Sequence, residues 1–270
     1  MTKTWFITGT SKGFGRIWAE AALARGDRVA ATARDASSLD ALIAQYGDRV
    51  LPLQLDVTDR DADFAAVARA HEHFGGLDVV VNNAGYGLFG AIEEISEREA
   101  RDQLETNVFG ALWVTQAAIP YLREQGSGHI LQVSSIGGIS AFPNLGLYNA
   151  SKWALEGFSQ ALAAELAPFG VSVTLVEPTA YGTDWAGPSA VHADPLPPYE
   201  PIREARRARP MTPGDPQATA DAILAVVDAD APPLRIFLGR SPIQVASADY
   251  ERRLAEWAAW QEVSDRAQGD

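Results

Sequence analysis

Residues 129–166 read HILQVSSIGGISAFPNLGLYNASKWALEGFSQALAAEL and contain a strand, a loop and a helix in that order. The apolar, β-branched run His129–Val133 predicts a buried strand, and Gly137 and Gly138 predict a loop at its end. From Leu147 onward, apolar residues recur every three or four positions, which predicts a helix. This order is typical of an open α/β sheet, in which functional side chains collect at the carboxyl ends of the strands.

Three side chains of this stretch have the chemistry of a proton-transfer site: Ser135, Tyr148 and Lys152. Tyr148 and Lys152 lie four residues apart, on one helix face. A phenol has a pKa of about 10, so a catalytic tyrosine needs a neighbour such as an ammonium group that favours the phenolate. The Ser135 hydroxyl would hold a carbonyl or alcohol oxygen. A Tyr-x-x-x-Lys pair also occurs by chance on ordinary helices, so the assignment depends on other motifs.

The composition bounds the class of protein. A chain of 270 residues, 47% hydrophobic and 21% charged, is long enough for one large α/β domain. It contains no cysteine, and its four histidines form no recognisable ligand set, so we predict no metal site. The net charge of -13 argues against nucleic acid as a partner. With no leader pattern and no apolar run of about 18 residues, we expect a cytoplasmic protein without a membrane span.

A second strand-to-helix turn lies at residues 8–15, which read TGTSKGFG. It follows the predicted strand Trp5–Thr8 and precedes a predicted helix that ends at Gly26. Glycines let a backbone turn tightly and approach a ligand, and a helix N-terminus presents free N–H groups to a phosphate. The spacing is G-x-x-x-G-x-G rather than G-x-G-x-x-G, so the motif alone does not separate a nucleotide site from a sharp connection.

The residue after the second predicted strand, Arg28–Ala33, bears on the choice of dinucleotide. An acid there favours the free 2′-hydroxyl of NAD, whereas an arginine favours the 2′-phosphate of NADP. Arg34 occupies that position, and Lys12 adds a second positive charge. We therefore predict NADP(H). In the alternative, Asp35 binds the ribose and the cofactor is NAD(H).

Polar residues also follow the next two predicted strands. The strand Val50–Leu55 ends at Asp56, which either accepts a hydrogen bond from an adenine amino group or caps the helix that begins near Asp59. The strand Leu77–Val81 is followed by NNAG at residues 82–85, which suits a ribose, a nicotinamide or an ordinary tight turn.

A long helical region is predicted over residues 96–125, with Asn107 in its middle. Asparagine is disfavoured inside a helix because its amide competes for backbone hydrogen bonds. Asn107 is therefore a candidate functional residue, although asparagines on solvated helix faces are common.

Together these motifs resemble those of the short-chain dehydrogenase/reductase family, in its shorter single-domain branch. The resemblance covers about residues 3–183 and rests on the glycine turn, Asp56, NNAG, Asn107, Ser135 and YNASK at 148–152. It implies one doubly wound, Rossmann-type α/β domain over residues 1–270, with a parallel sheet and helices on both faces.

The resemblance also implies roles for individual residues. Tyr148 would be the acid/base and Ser135 would orient the substrate oxygen. Lys152 would lower the pKa of Tyr148 and bind the nicotinamide ribose, while Asn107 would hold a water in the proton relay. The implied cofactor-binding residues are Gly9, Ser11, Lys12, Gly13, Phe14, Gly15, Arg34, Asp56, Val57, Asn83, Ala84, Gly85, Tyr148, Lys152, Pro178, Thr179 and Thr183.

One position departs from the family pattern. After the strand Val171–Val176 the family usually has Pro-Gly, but here Thr179 follows Pro178. A β-branched residue does not readily adopt the backbone angles open to glycine, so the chain path beside the nicotinamide is in question. We expect the hydroxyl or the methyl group of Thr179 to point toward the substrate.

Two segments near the C-terminus complete the prediction. Residues 184–214 are rich in proline and are predicted to form an irregular lid, with Trp185, Leu196 and Tyr199 offering apolar surface. A tail helix is expected at about 247–265. Its aromatic residues would pack on a partner subunit or on the chain itself, and the family implies a homodimer or homotetramer.

The predicted function is an NADPH-dependent carbonyl reductase or secondary alcohol dehydrogenase acting on an apolar small molecule. The aromatics that suggest such a substrate are Phe89, Phe142, Trp185 and Tyr199. The alternatives are an NAD-linked alcohol dehydrogenase of the hydroxysteroid type and a catalytically silent regulator that senses NADP(H).

Overall fold

The computed structural model describes residues 2–208 and 212–269, and its centre is a sheet of seven parallel strands. The strands follow the order β3-β2-β1-β4-β5-β6-β7 across the sheet. Their bounds are β1 Thr4–Ile7, β2 Arg28–Ala33, β3 Val50–Gln54, β4 Val79–Asn82, β5 Gly128–Val133, β6 Val171–Pro178 and β7 Arg235–Leu238. The predicted doubly wound, Rossmann-type single domain is confirmed.

Helices cover both faces of the sheet. Their bounds are α1 Gly13–Ala24, α2 Asp40–Tyr46, α3 Arg60–Phe74, α4 Glu97–Leu104, α5 Ala111–Gln125, α6 Gly146–Leu166, α7 Glu200–Arg207, α8 Thr219–Asp228, α9 Pro242–Ala259 and α10 Gln261–Gln268. Strands that are buried on both faces read as continuous apolar runs, as β1 and β4 do. The near-continuous apolar sequences of β1 and β4 are therefore those expected for a parallel sheet that helices cover on both faces.

Alternation along β1 divides the core into two layers. Trp5 and Ile7 pack with Trp18 of α1 in one buried cluster, whereas Phe6 packs with Val80 of β4 in the other. Both indoles donate a hydrogen bond inside the fold, Trp5 to Asp27 at 2.8 Å and Trp18 to Thr219 at 2.8 Å. Successive strand residues point to opposite faces, so the two layers follow from the strand geometry.

The order of the strands places a crevice between β1 and β4. The chain builds outward from β1 to β3 and then crosses to β4 on the other side of β1. In open α/β sheets, ligands bind outside the carboxyl ends of the strands at such a reversal. The loops after β1, β4, β5 and β6 therefore meet at one edge.

The long helix predicted over residues 96–125 is interrupted. Residues Glu105–Gly110 form a π-helical turn between α4 and α5. Asn107 lies in this turn, which inserts one extra residue per turn and is frequent at functional sites. The wider turn accommodates an asparagine whose side chain bonds to other elements.

The C-terminal part also differs from the prediction. The proline-rich segment is ordered as 3₁₀ turns at Asp184–Ala186 and Pro197–Tyr199, a two-residue strand at Val191–His192 and helix α7. Val191–His192 pairs with Leu88–Phe89. Residues 209–211 of the predicted lid lie outside the described residues. In place of the single tail helix predicted at about 247–265, the chain forms two helices. These are α9, which begins earlier at Pro242, and α10, which ends at Gln268.

Candidate active site

A cavity of about 2080 Å³ opens at the carboxyl edge of the sheet. Pockets for ordinary small ligands measure roughly 300–1,000 Å³, so this cavity has room for a dinucleotide and a substrate together. Most of the predicted site residues line it, namely Gly9, Ser11, Lys12, Gly13, Phe14, Arg34, Asp56, Val57, Asn83, Ala84, Gly85, Ser135, Tyr148, Lys152, Pro178, Thr179 and Thr183. Gly15 and Asn107 lie behind this lining.

The glycine turn lets the backbone fold back on itself. Gly9 and Gly13 have positive φ angles of 69° and 60°, in the region that favours glycine. A Cβ at Gly15 would lie 2.4 Å from the Gly9 carbonyl oxygen and 2.5 Å from Asn83 Nδ2. Gly15 therefore packs against the glycine turn, outside the cavity lining, and its contact with the cofactor stays a prediction. Helix α1 begins at Gly13, which lines the cavity. The free N–H groups of the helix N-terminus therefore lie at the cavity edge.

Asn83 holds two strand ends together. Its Nδ2 donates to the carbonyl oxygens of Thr8 at 2.8 Å and Gly9 at 3.0 Å. The Thr8 hydroxyl in turn accepts from the backbone N–H groups of Asn83 and Ala84, each at 2.9 Å. The Asn83 amide thus fixes the glycine turn against the end of β4, at the wall of the cavity that Asn83 itself lines.

Arg34 and Asp35 have different surroundings. Arg34 lines the cavity. Asp35 points into its own turn, where one carboxylate oxygen accepts from the Ser37 N–H at 3.0 Å and the Ser37 hydroxyl at 2.8 Å. Those hydrogen bonds lower the pKa of Asp35. Of the two residues, Arg34 is therefore the one that borders the cavity.

Lys12 and Asp56, two of the predicted cofactor-binding residues, are bonded to other protein groups. Lys12 forms an ion pair with Asp184 at 3.0 Å, which ties the glycine turn to the segment after β6. Asp56 accepts from the Thr58 N–H and hydroxyl, at 3.1 and 2.8 Å, through a single oxygen. Asp59, not Asp56, caps α3. The alternative that Asp56 serves only as a helix cap is therefore wrong.

The strand, loop and helix of residues 129–166 bring Ser135, Tyr148 and Lys152 together. Ser135 follows β5, and its hydroxyl accepts from the Gly137 N–H at 3.0 Å. Tyr148 and Lys152 are both buried in α6. Lys152 Nζ lies 5.8 Å from the centre of the Tyr148 ring and donates to the Val133 carbonyl at 2.7 Å. A hydroxyl, a phenol and an ammonium thus share one small volume.

Asn107 connects three parts of the site. Its Oδ1 accepts from the Tyr86 N–H at 3.1 Å, and its Nδ2 donates to the Tyr86 carbonyl at 3.0 Å and the Ser151 hydroxyl at 3.1 Å. Both N–H donors of the amide are used by protein groups. The side chain therefore ties the π-helical turn to the loop after β4 and to α6, beside Lys152.

Comparison with known proteins identifies the family. A family model described as short chain dehydrogenase matches residues 3–192, well over half of the chain. This chain is a short-chain dehydrogenase. Oxidoreductase BOA17 of Botryotinia fuckeliana is 42% identical to it over 270 residues, covering 98% of each chain. The resemblance inferred from the sequence motifs is confirmed, and the protein is an NAD(P)-dependent oxidoreductase.

Solved short-chain dehydrogenases share the fold. A short-chain dehydrogenase from Streptomyces avermitilis is 41% identical, with 99% of each chain covered and a TM-score of 0.93. One from Burkholderia cenocepacia, in complex with NADP, is 28% identical, with 96% and 97% covered and a TM-score of 0.77. A 3-ketoacyl-(acyl-carrier-protein) reductase from Brucella melitensis, complexed with NADH, is 28% identical, with 87% and 96% covered and a TM-score of 0.76.

The protonation of this short-chain dehydrogenase site is set by burial. Burial raises the pKa of Tyr148 to about 12, and a hydrogen bond with Ser135 opposes the rise. Burial also lowers the pKa of Lys152 to about 8, with Glu156 opposing. Desolvation of the phenolate is the main cause of the rise, and the lowering of the Tyr148 pKa by Lys152 stays a prediction. At neutral pH the phenol is protonated and the ammonium is charged.

Thr179 adopts its backbone conformation without strain. Among the described residues, Asn144 is the only non-glycine residue with a positive φ, so Thr179 does not adopt a glycine conformation. Its hydroxyl donates to the Leu238 carbonyl at the end of β7, at 3.3 Å. The hydroxyl therefore bonds to the sheet edge and not to the substrate space, although Thr179 lines the cavity.

Three aromatic side chains, Phe89, Phe142 and Trp185, pack beside Tyr148 and are called the aromatic wall below. The Trp185 ring lies 4.9 Å from the Tyr148 ring and 5.3 Å from the Phe89 ring, and Phe142 packs in the same cluster. Of the predicted lid residues, Trp185 lines the cavity whereas Leu196 and Tyr199 do not. Tyr199 instead donates to Glu93 at 2.5 Å.

Part of the cavity lining was not predicted from the sequence. Tyr86, after NNAG, and Ile202, Ala205 and Arg206, on α7, also border the cavity. Tyr86 directly follows the NNAG motif at residues 82–85, so its place in the sequence could have indicated that it borders the site. The α7 residues gave none, because their approach depends on contacts that are distant in sequence.

Neither a metal site nor a membrane span was predicted from the sequence. Within residues 2–208 and 212–269, no three side chains of the metal-ligating types come together. In the same part of the chain, no helix combines the length and the apolar character needed to cross a bilayer.

Proposed function

We propose that the protein is an NADPH-dependent carbonyl reductase that converts an apolar ketone to a secondary alcohol and runs in reverse as an alcohol dehydrogenase. The observation that carries the proposal is the position of the Tyr148 phenol, protonated at neutral pH, beside Ser135 and the aromatic wall. A protonated phenol is poised to give a proton to an oxygen. The phenol in this form is the acid that the reduction step needs.

In the proposed reaction, each side chain has a separate task. The Ser135 hydroxyl donates a hydrogen bond to the carbonyl oxygen, and Tyr148 transfers its phenolic proton to the same oxygen. The ammonium of Lys152 stabilises the phenolate that forms. The nicotinamide, when bound, supplies the hydride to the carbonyl carbon. Asn107 positions the loop after β4 and α6, so we assign it a positioning role alongside the water-holding role that the family implies.

The first test is NADPH oxidation, measured by absorbance, against aromatic, cyclic and aliphatic ketones. Turnover that prefers apolar ketones supports the reductase proposal. Tight binding of NADPH without turnover of any ketone or alcohol would instead support the regulator that senses NADP(H). The aromatic wall favours the enzyme, because a sensor has no need of an apolar chamber beside Tyr148.

The cofactor preference depends on Arg34. We expect Arg34→Asp to lower kcat/KM for NADPH by about 10- to 100-fold, because a charge-assisted contact with the 2′-phosphate is lost and a repulsive one replaces it. The value for NADH should change little or rise. Initial rates with both cofactors, at one fixed ketone concentration, measure the ratio.

A neighbouring variant provides the control. Asp35→Asn changes the charge of the adjacent residue, in the opposite direction to Arg34→Asp, but Asp35 bonds to Ser37 and does not line the cavity. It should leave the NADPH/NADH ratio nearly unchanged. The ion pair of Lys12 with Asp184 is the observation that favours the NAD-linked alternative, since it weakens Lys12 as a phosphate ligand. An unchanged ratio in Arg34→Asp would favour that alternative.

We also propose that the protein forms a homodimer or homotetramer. Trp257 and Trp260 on the tail are 60% and 64% exposed, so they do not pack on their own chain. Exposed aromatic surface of this kind is costly in a monomer. Light scattering coupled to size-exclusion chromatography should give at least twice the 28.9 kDa mass of the chain; a monomeric mass at micromolar concentration would contradict the proposal.

A further inference from the structure

Helix α7 carries three arginines with different partners. Arg203 pairs with Glu94 at 2.7 Å and Glu200 at 2.8 Å. Arg207 also pairs with Glu200. Among the described residues, no carboxylate lies within ion-pair distance of Arg206. One of the three charges is therefore left without compensation by the protein.

Arg206 lies on the face of α7 that borders the cavity. Ile202, four residues earlier, and Ala205 line the cavity with it, whereas Arg203 and Arg207 do not. Helical spacing explains the division, since residues four apart share a face. The cavity-facing side of α7 is thus apolar surface with a single cation.

The guanidinium is held by an aromatic ring. Its central carbon lies 4.6 Å from the centre of the Phe89 ring, a cation–π distance. Partial burial lowers the pKa of Arg206, as expected for a charge that has lost water without gaining an anion. Phe89 contacts Trp185, and Trp185 contacts Tyr148. Two aromatic rings therefore separate the guanidinium from the proposed acid.

The other cations of the cavity are accounted for. Lys12 pairs with Asp184 and Arg98 with Asp102. Lys152 donates to Val133, and Arg34 is assigned to the cofactor in the proposed function. Arg206 is thus the cation available to a substrate. A guanidinium presents a planar fork of donors that matches a carboxylate.

We propose that Arg206 binds a carboxylate of the substrate, at the end of an apolar body whose ketone lies at Ser135 and Tyr148. The inference rests on the proposed reductase function and narrows its substrate class to apolar keto acids. The apolar body would lie along Trp185 and along Ile202 and Ala205 of α7, which line the cavity. The spacing by two rings requires a substrate in which several bonds separate the ketone from the carboxylate.

The test uses straight-chain methyl ketones that end in a carboxylate, lengthened one methylene at a time, and their methyl esters. With the wild-type protein and NADPH, we expect kcat/KM for the best acid to exceed that for its ester by about 10- to 100-fold. Arg206→Gln should remove this preference by lowering kcat/KM for the acids to about the value for their esters. Arg207→Gln, which removes the adjacent charge that pairs with Glu200, should retain the preference.

Binding of the same acids to the NADP⁺-loaded protein, measured by calorimetry, gives a readout that does not depend on turnover. Acids that bind about 10-fold or more weaker to Arg206→Gln than to Arg207→Gln support the inference, even if no ketone is reduced and the reductase proposal fails. Equal affinities in the two variants would overturn the inference, even if neutral ketones are reduced and the reductase proposal stands.

Discussion

Tyr148→Phe is expected to reduce kcat/KM for ketone reduction by about 10³-fold, within the range of roughly 10²- to 10⁴-fold that a positioned acid contributes. The substitution removes the only atom of the side chain that carries the proton. The ring, which packs against Trp185, is retained. Steady-state rates of NADPH oxidation with the best ketone of the panel measure the effect, and NADPH affinity should change by less than a few fold.

The matched control is Tyr46→Phe, which removes the same atom from α2, where the hydroxyl accepts a bond from Gln45. Its kcat/KM should match that of the wild type. If Tyr148→Phe kept more than about one-tenth of the wild-type rate, another group would be the acid. Ser135 would then be the next residue to test, because it is the neighbouring hydroxyl on the same cavity wall.

The sequence predicted the parts of the site that depend on strand ends. Ser135 and Asn83 follow apolar runs, and parallel strands bring their carboxyl ends to one edge, so the periodicity of the runs was sufficient. Tyr148 and Lys152 were predictable together because helical spacing is fixed. In each case the local pattern determined where the side chain would lie.

The features that the sequence did not reveal depend on distant contacts. Hydrogen bonds to Tyr86 and to Ser151, which is 44 residues away, fix the π-helical turn at Asn107. The spacing of apolar residues along the sequence does not show that this turn contains one extra residue. Helix α7 lies in a proline-rich segment and is anchored by Arg203 to Glu94, 109 residues away. Such bonds have no signature in local composition.

The protonation states were also beyond local reasoning. The sequence suggested a Tyr148 pKa below its ordinary value because Lys152 is one helical turn away. In the folded protein, burial acts on both groups and raises the pKa of Tyr148 while lowering that of Lys152. Pair spacing gives the sign of a Coulomb interaction, but the extent of desolvation depends on the whole surrounding fold.

Lys152→Met is expected to lower kcat/KM for reduction by about 10²-fold. A unit charge at about 6 Å, in an effective dielectric constant of about 20, is worth about 3 kcal/mol to the phenolate that forms on Tyr148. The pKa of Lys152 is about 8, so the wild-type rate should fall as the pH rises through 8 and the ammonium loses its proton. The variant should lack that inflection, because methionine does not titrate. The pH dependence of kcat/KM between pH 6 and about 9.5 measures both effects.

Lys3→Met serves as the matched control, because Lys3 also donates to a backbone carbonyl, that of Val227 at 2.9 Å, but does not line the cavity. It should retain both the rate and the inflection near pH 8. An inflection that persisted in Lys152→Met would assign the titration to another group. A loss of rate without a change in the pH profile would mean that Lys152 acts by holding Val133 and α6 in place, and not through its charge.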